Sequence, residues 1–208
     1  MTGLTLAIDT ATAACSAALI RNGEVVAALG ETVGRGHAER LAPMIAQLLA
    51  GHAPPSAILG DCGPGSFTGV RVGLATAIGL AIGWGVPVSG YSSLAALAAA
   101  AFADDPALDG CGVAIAGGHG ELFVQRFMAR PFDTVTALAS LAPMAAAEAI
   151  PDRVVTGPAA DALVAARGTG EARTRLPAAA DARRLPAACH LPARPIYGRA
   201  PDAKPLAA

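Results

Sequence analysis

The sequence is poor in charged residues, in aromatic side chains and in paired cysteines. Of its 208 residues, 15% are charged and 4% aromatic, whereas 53% are hydrophobic. A chain of this composition buries a sizeable core, which argues against an intrinsically disordered protein. Its formal net charge of -1 argues against a protein that binds nucleic acid by itself, because phosphate contacts require local positive charge.

The few charges are unevenly spread along the chain. Residues 1–149 contain 6 basic and 11 acidic residues, whereas residues 150–208 contain 9 and 5. Two interpretations of the basic part stay open: contact with RNA or an acidic partner, and an arginine-rich surface in solvent. The arginines concerned are Arg167, Arg173, Arg175, Arg183, Arg184, Arg194 and Arg199.

The four cysteines are scattered singly, without a CxxC pair or a Cys/His spacing that suits zinc. We therefore expect neither a metal site nor disulfides, and reduced thiols fit the cytosol. The N-terminal sequence lacks the basic region and long apolar core of a signal peptide. These observations predict a cytoplasmic protein.

One stretch resembles a membrane span by composition, because no charge occurs between Arg71 and Asp104. A spanning helix requires about 20 continuous, strongly apolar residues. Here glycines and serines interrupt the stretch, and a Gly-Val-Pro break at residues 85–87 divides it. We therefore expect two elements of a folded domain and no membrane span.

The pattern of hydrophobic residues predicts an α/β protein. It opens with three antiparallel strands at 4–9, 15–20 and 25–29, the last two joined by an Asn-Gly turn. A helix at 37–50, a strand at 57–60, a helix reaching Trp84, a strand at 87–90 and a helix at 92–102 follow. A hairpin at 111–116 and 122–128 and a strand and helix at 153–167 come after the polar break at residue 104. This order is typical of the ribonuclease H-like half of actin-like ATPases.

Asp9-Thr10 ends the first strand and supports two interpretations. In actin-like ATPases this turn holds phosphate and a metal-bound water, usually with a glycine that lets the backbone approach the phosphate. Ala11 stands in the place of that glycine. The alternative is that Asp9 makes an Asx-type hydrogen bond to the turn.

The glycine-rich string GPGSFTG at residues 63–69 precedes the second helix. It is neither a Walker A loop, because no Lys follows the last glycine, nor a nucleophile elbow. It either presents amide groups to an anion at the helix N-terminus, or forms a tight turn with Ser66 or Thr68 as the N-cap. We name Asp9, Thr10, Gly63, Gly65, Ser66, Thr68 and Gly69 as nucleotide or turn residues.

The two long helices differ in their apolar surfaces. The first carries one apolar stripe, whereas the second is apolar or small nearly all round, so that it is either buried on several sides or meets another chain. Its small residues are four apart (Gly69/Gly73, Gly79/Gly83) and permit close helix contact. His37 has Leu41 where a second metal-binding histidine would stand, so no metal site is predicted.

These strings together resemble the TsaB family, whose bacterial members were formerly called YeaZ. The resemblance rests on LAIDTATAACSAAL, GHAERLAPMIAQLL, GPGSFTGVRVGLATAIGLA and GVPVSGYSSLAALA, and on the C-terminal RPIYGR at 194–199. It is weaker in the middle, where Ala116-Gly117-Gly118 replaces the Asp-Ala-Arg string usual in the family.

The resemblance implies an actin-like ATPase fold of two lobes, placed at residues 1–103 and 104–208, with the second lobe reduced. It also implies a non-catalytic partner of TsaD, which forms N6-threonylcarbamoyladenosine at position 37 of tRNA. TsaE would be the ATP-hydrolysing component, tRNA would be contacted indirectly, and the isolated chain would form a homodimer. No cofactor is implied for this chain by itself, and ATP or ADP would have a site at the interface of the complex.

The resemblance places the TsaD contact on the first two helices and assigns this chain no catalytic residue. The interface residues it implies are His37, Leu41, Ile45, Leu48, Val70, Gly73, Leu74 and Ala77. Accordingly, Ile45→Asp or Gly73→Leu is expected to abolish TsaD binding and leave the fold intact. The rival hypotheses are an autonomous ATPase or sugar-kinase-like enzyme using Asp9 and Thr10, and a peptidase.

Overall fold

The computed structural model describes residues 3–198, which form two β-sheets and five α-helices. The first sheet consists of β1 (Thr5–Asp9), β2 (Ala14–Arg21), β3 (Glu24–Thr32), β4 (Ala57–Asp61) and β5 (Val88–Tyr91). Its helices are α1 (His37–Leu49), α2 (Phe67–Trp84) and α3 (Ser93–Asp104). The second part contains β6 (Gly110–Ala116), β7 (Leu122–Ala129), β8 (Phe132–Thr134), β9 (Ala139–Leu141), α4 (Pro143–Ala149), β10 (Val154–Thr156), α5 (Ala160–Arg167) and β11 (Glu171–Arg173).

The two sheets repeat one strand order. The first runs β3-β2-β1-β4-β5, with β1 antiparallel to β2 and parallel to β4. The second runs β8-β7-β6-β10-β11, with β6 antiparallel to β7 and parallel to β10, and β9 also pairs with β7. The fold is that of the actin-like ATPases, with a second lobe whose outer strands are only three residues long.

Successive side chains of a strand point to opposite faces of the sheet, so the first sheet has a core layer on each face. Leu6, Ile8 and Ile58 face α1 and α2, whereas Ala7 and Leu59 face α3. The helix α3 is buried along Ser93–Ala101, because its other side packs on the inner face of the second sheet. The helices α4 and α5 cover the outer face of that sheet.

The predicted strands and helices are present, with ends displaced by a few residues. Asn22 and Gly23 form the predicted turn with positive φ angles of 53° and 79°. Pro43 is the seventh residue of α1 and so lies beyond the first turn, and the helix continues to Leu49. The sequence did not predict β8, β9, β11 and α4, since these short segments have no clear hydrophobic pattern of their own.

The C-terminal part of the chain returns to the first sheet. The amide of Ala179 donates to Ser16 Oγ at 2.9 Å, Leu191 pairs with Gly90, and the amide of Ile196 donates to the Cys62 carbonyl at 2.8 Å. Residues 104–198 are therefore not confined to the second lobe, and the boundary after residue 103 stays a prediction.

The helix α2 is long and apolar enough to cross a membrane by length and composition. A third of its 18 residues are buried inside the protein. Core helices of folded domains have the same composition, so this helix is only weak evidence for a span.

Candidate functional site

Two buried carboxyl groups lie side by side where β1 and β4 end. The strands are parallel and in register, so Asp9 and Asp61 follow the paired residues Ile8 and Gly60. Asp9 is 0% and Asp61 2% exposed. The sequence predictions included Asp9 but not Asp61. An acid at the end of each of two parallel strands was the signal that could have identified the pair.

The hydrogen bonds of the two carboxyl groups differ. Asp61 accepts two bonds from Ser93 Oγ, at 2.7 and 2.8 Å, and one from the Gly63 amide at 2.7 Å. Asp9 Oδ1 accepts from the Ala11 amide at 3.1 Å, which is the Asx-type bond of the second interpretation. Asp9 Oδ2 is buried and meets no donor among the described residues.

Burial raises the pKa of both carboxyl groups. The pKa of Asp61 rises to about 6, because burial outweighs the bonds from Ser93 and Gly63. The pKa of Asp9 is raised well above its ordinary value by burial and then by the neighbouring charge of Asp61. A buried pair of this kind favours retention of one proton.

The glycines of the GPGSFTG turn let the β1–β2 turn pack closely on the start of α2. A Cβ at Gly65 would lie 2.1 Å from the Ala11 carbonyl oxygen, and one at Gly69 would lie 2.1 Å from that of Thr10. The Ser66 amide donates to the Ala11 carbonyl at 2.6 Å. These glycines are therefore required by packing within the chain.

Ser66 is the N-cap of α2, as one interpretation predicted. Its side chain accepts a hydrogen bond from the Gly69 amide at 3.2 Å, whereas Thr68 is exposed inside the first turn. Thr10 Oγ1 donates to the Gly69 carbonyl at 2.7 Å. Whether the residues of this turn also contact a nucleotide stays a prediction.

The structure places the residues of the predicted partner interface inside the fold. All eight residues named for it are buried within the chain: His37, Leu41, Ile45, Leu48, Val70, Gly73, Leu74 and Ala77. The apolar stripe of α1 packs on the first sheet, because it is the only apolar face of that helix. Because both positions are buried, Ile45→Asp and Gly73→Leu are now expected to disturb the core, and their effect on TsaD binding stays a prediction.

The imidazole of His37 also makes its contacts within the chain. Its Nε2 lies 2.9 Å from the Thr12 carbonyl oxygen and 3.2 Å from that of Ala14. His37 thus fastens the start of α1 to the β1–β2 turn.

The residues that α2 exposes are not those predicted to contact a partner. Between Val72 and Trp84, every exposed position is an apolar residue or a glycine: Ala75, Ile78, Gly79, Ile82 and Gly83. We call these five residues the outer face of α2. Ile82 is 78% exposed, and a Cβ at Gly79 or Gly83 would meet no atom within 4 Å. The sequence had indicated a surplus of apolar surface on this helix, although not which side carries it.

A cavity of about 1010 Å³ lies between the two lobes. The first lobe contributes the β1–β2 turn and the start of α2, and the second contributes the end of β6 and Phe123 of β7. Residues 195–198 form a further wall. Asp9 and Asp61 do not line this cavity, since the turn at residues 11–13 and the GPGSFTG turn lie between them and the cleft.

Most arginines of the basic C-terminal part contact groups of the chain itself. Arg173 pairs with Glu171 and Asp105, and Arg175 and Arg184 both pair with Asp104 and Asp181. Arg167 donates to backbone carbonyls. These contacts favour an internal role for the four arginines, and Arg199 lies outside the described residues.

The comparison with known proteins gives a consistent result. The family described as "TsaD: tRNA N6-adenosine threonylcarbamoyltransferase" matches residues 28–181. The tRNA threonylcarbamoyladenosine biosynthesis proteins TsaB of Haemophilus influenzae and Escherichia coli are 48% and 44% identical over 101 residues. Those alignments cover 47% of this chain and 42% and 43% of the relatives, so the chain matches less than half of the length of these relatives.

A solved structure matches over nearly the whole chain. YeaZ from Pseudomonas aeruginosa superposes with a TM-score of 0.76 at 28% identity, covering 93% of this chain and 99% of that protein. A second Pseudomonas aeruginosa structure, described as similar to peptidase YeaZ, gives 0.77 at 29% identity, covering 94% and 99%. The chain therefore belongs to the family that the TsaD profile defines and, within it, to the TsaB (YeaZ) proteins.

Proposed function

We propose that this chain takes part in the formation of N6-threonylcarbamoyladenosine in tRNA, as a non-catalytic partner of a TsaD-type protein in the cytoplasm. The names of the TsaB relatives support the pathway. The observation that carries the partner role is the outer face of α2, which is apolar and exposed on a helix that Ser66 caps. A surface of this kind is typical of a contact between proteins.

The outer face of α2 suits the close approach of a second helix. Gly79 and Gly83 stand one turn apart and leave open space beside Ile78 and Ile82. A partner helix that lies over these glycines buries both isoleucines without a steric conflict. We propose that the same face joins two copies of the isolated chain and that the TsaD-type partner displaces one of them.

The buried state of Asp9 disfavours the rival hypothesis of an autonomous ATPase or sugar-kinase-like enzyme. Its carboxyl group is 0% exposed and is bound to the Ala11 amide, so a ligand in the cleft does not reach it. We propose that ATP or ADP binds only at the interface of the complex, that a TsaE-type ATPase joins that complex, and that tRNA is contacted through TsaD.

Binding to the TsaD-type protein of the same organism tests the proposal. We expect wild-type protein to co-purify with it and to be required for threonylcarbamoyladenosine formation. Ile82→Asp should abolish both, because it places a charge on the contact surface. Met144→Asp is the matched control, since Met144 is an exposed apolar residue of α4, in the second lobe. Equal co-purification of wild type and Ile82→Asp would contradict the assigned surface, and no binding by wild type would contradict the function.

A further inference from the structure

Among residues 3–198, the cleft between the lobes combines apolar walls with the guanidinium of Arg71 and the imidazole of His119. Its apolar lining comes from Val70, Ile115, Phe123, Pro158, Leu176, Pro195 and Ile196. Arg71 of α2 lies among them and is only partly exposed. A volume of about 1010 Å³ is sufficient for an organic molecule of metabolite size.

Arg71 is held in place by its neighbours. Its Nη1 donates to the Phe67 carbonyl at 2.8 Å and its Nη2 donates to Tyr197 Oη at 2.7 Å. Its guanidinium carbon lies 3.3 Å from the centre of the Phe67 ring and 5.3 Å from that of Tyr197. These contacts fix the guanidinium group, but they come from neutral groups and do not compensate its charge.

No acidic side chain among the described residues of the cleft balances the charge of Arg71. Within residues 3–198, Arg71 makes no ion pair, and none of the residues that line the cleft is an Asp or a Glu. The N-terminus of the 18-residue helix α2 lies in the same wall and adds positive potential. A partly exposed guanidinium that has no acidic partner among these residues favours an anionic ligand, which can accept charge-assisted hydrogen bonds from it.

We propose that the interlobe cleft binds a small organic anion, with a single carboxylate or phosphate group paired with Arg71 and an apolar, planar body between the walls of the cleft. The planar body fits because Phe67, Phe123 and Tyr197 all line the cavity. A single anionic group fits better than a metal-bound polyphosphate, because Asp9 and Asp61, which could hold a metal ion, do not line the cleft. This site is separate from the outer face of α2 and does not depend on the proposed partner role.

The test uses 8-anilinonaphthalene-1-sulfonate as a fluorescent probe, since it joins an anionic group to a planar apolar body. We expect it to bind wild-type protein and to be displaced by benzoate or phenyl phosphate, but not by neutral benzyl alcohol. The more effective competitor identifies whether a carboxylate or a phosphate is preferred. Equal displacement by benzyl alcohol, or none by either anion, would overturn the proposal.

Variants locate the probe in the cleft. Arg71→Met should raise its Kd by about tenfold to a hundredfold, which is the range for the loss of one hydrogen bond to a charged group. Arg183→Met is the matched control, because Arg183 is exposed and does not line the cleft. Unchanged binding in Arg71→Met, or loss of binding in Ile82→Asp, would place the probe elsewhere and refute the site. The competition on wild-type protein decides the question if Arg71→Met does not fold.

Discussion

Gly73 in the middle of α2 lies directly against Thr10 at the end of β1. A Cβ at position 73 would stand 2.4 Å from Thr10 Oγ1, which is itself bound to the Gly69 carbonyl at 2.7 Å. The contact fixes the distance between the β1–β2 turn and the helix whose opposite side forms the outer face. Position 73 therefore has room for a glycine and no larger residue without a shift of the turn.

Gly73→Ala is expected to lower the free energy of unfolding by about 1–2 kcal/mol, because overpacking outweighs the gain in helix propensity. Gly79→Ala in the same helix should raise it by up to about 1 kcal/mol, since the added Cβ meets only open space. Urea denaturation of the two variants measures both effects. Stabilisation by both substitutions would contradict the close packing at Thr10.

The Asp9–Asp61 pair predicts a loss of stability as the pH rises. The pKa of Asp61 is about 6 in the folded chain, and that of Asp9 is raised further above its ordinary value of 3.8. A pKa raised by folding stabilises the folded state only while the group is protonated, so stability falls from about pH 4 through pH 6 and beyond. Among the neighbouring groups, Asp181 opposes ionisation of Asp9.

Asp9→Asn is expected to remove most of this pH dependence, because it replaces one of the two charges by a neutral amide that can donate to Asp61. We expect unfolding free energies close to wild type at pH 4 and on the order of 2–3 kcal/mol higher than wild type at pH 8. Chemical denaturation at several pH values measures the difference. A constant difference between pH 4 and pH 8 would show that the two carboxyl groups do not share a proton.

Arg167 at the end of α5 is hydrogen-bonded to the backbone of the loop between α4 and β10. Its Nη1 donates to the Ile150 and Asp152 carbonyls at 2.6 and 2.8 Å, and its Nε donates to the Thr169 carbonyl. Arg167→Met should lower the unfolding free energy by about 1–3 kcal/mol, since these carbonyls lose a charged donor.

Arg153→Met is the control for Arg167→Met. The Arg153 side chain is 78% exposed and pairs with Glu171 at the surface, so its loss should change stability by less than about 1 kcal/mol. Thermal and urea denaturation compare the two variants. An equal effect of both substitutions would refute the assigned role of Arg167.

The cysteines should differ in their reactivity toward iodoacetamide. Burial raises the pKa of Cys15 and Cys62 to about 11 and that of Cys111 to about 12. Burial raises the pKa of Cys189 as well, but its side chain is partly exposed, whereas the other three are buried. Because the thiolate is the reacting form, intact-mass spectrometry of the native protein should show one adduct, at Cys189, and four after unfolding. Early modification of Cys111 would contradict the packing of β6.

The sequence by itself determined the order of the strands and helices in the first lobe, because short apolar runs bounded by turn residues and a helical period are local patterns. It also determined the Asn22–Gly23 turn and limited the N-cap of α2 to Ser66 or Thr68, of which the structure shows Ser66. Of the short strands of the second lobe, β10 was predicted but β8, β9 and β11 were not, since these three are held by neighbouring strands and not by their own composition.

Only the tertiary structure decided which side of each helix is exposed. The stripe of α1 and the residues Val70, Gly73, Leu74 and Ala77 of α2 were expected at an interface but are buried against β1 and β4. A helix that is apolar all round gives no signal for the side that its own sheet will cover. The pairing of Asp9 with Asp61, 52 residues apart, and the position of Arg71 beside Tyr197 likewise depend on strand register and on the return of the chain to the first lobe.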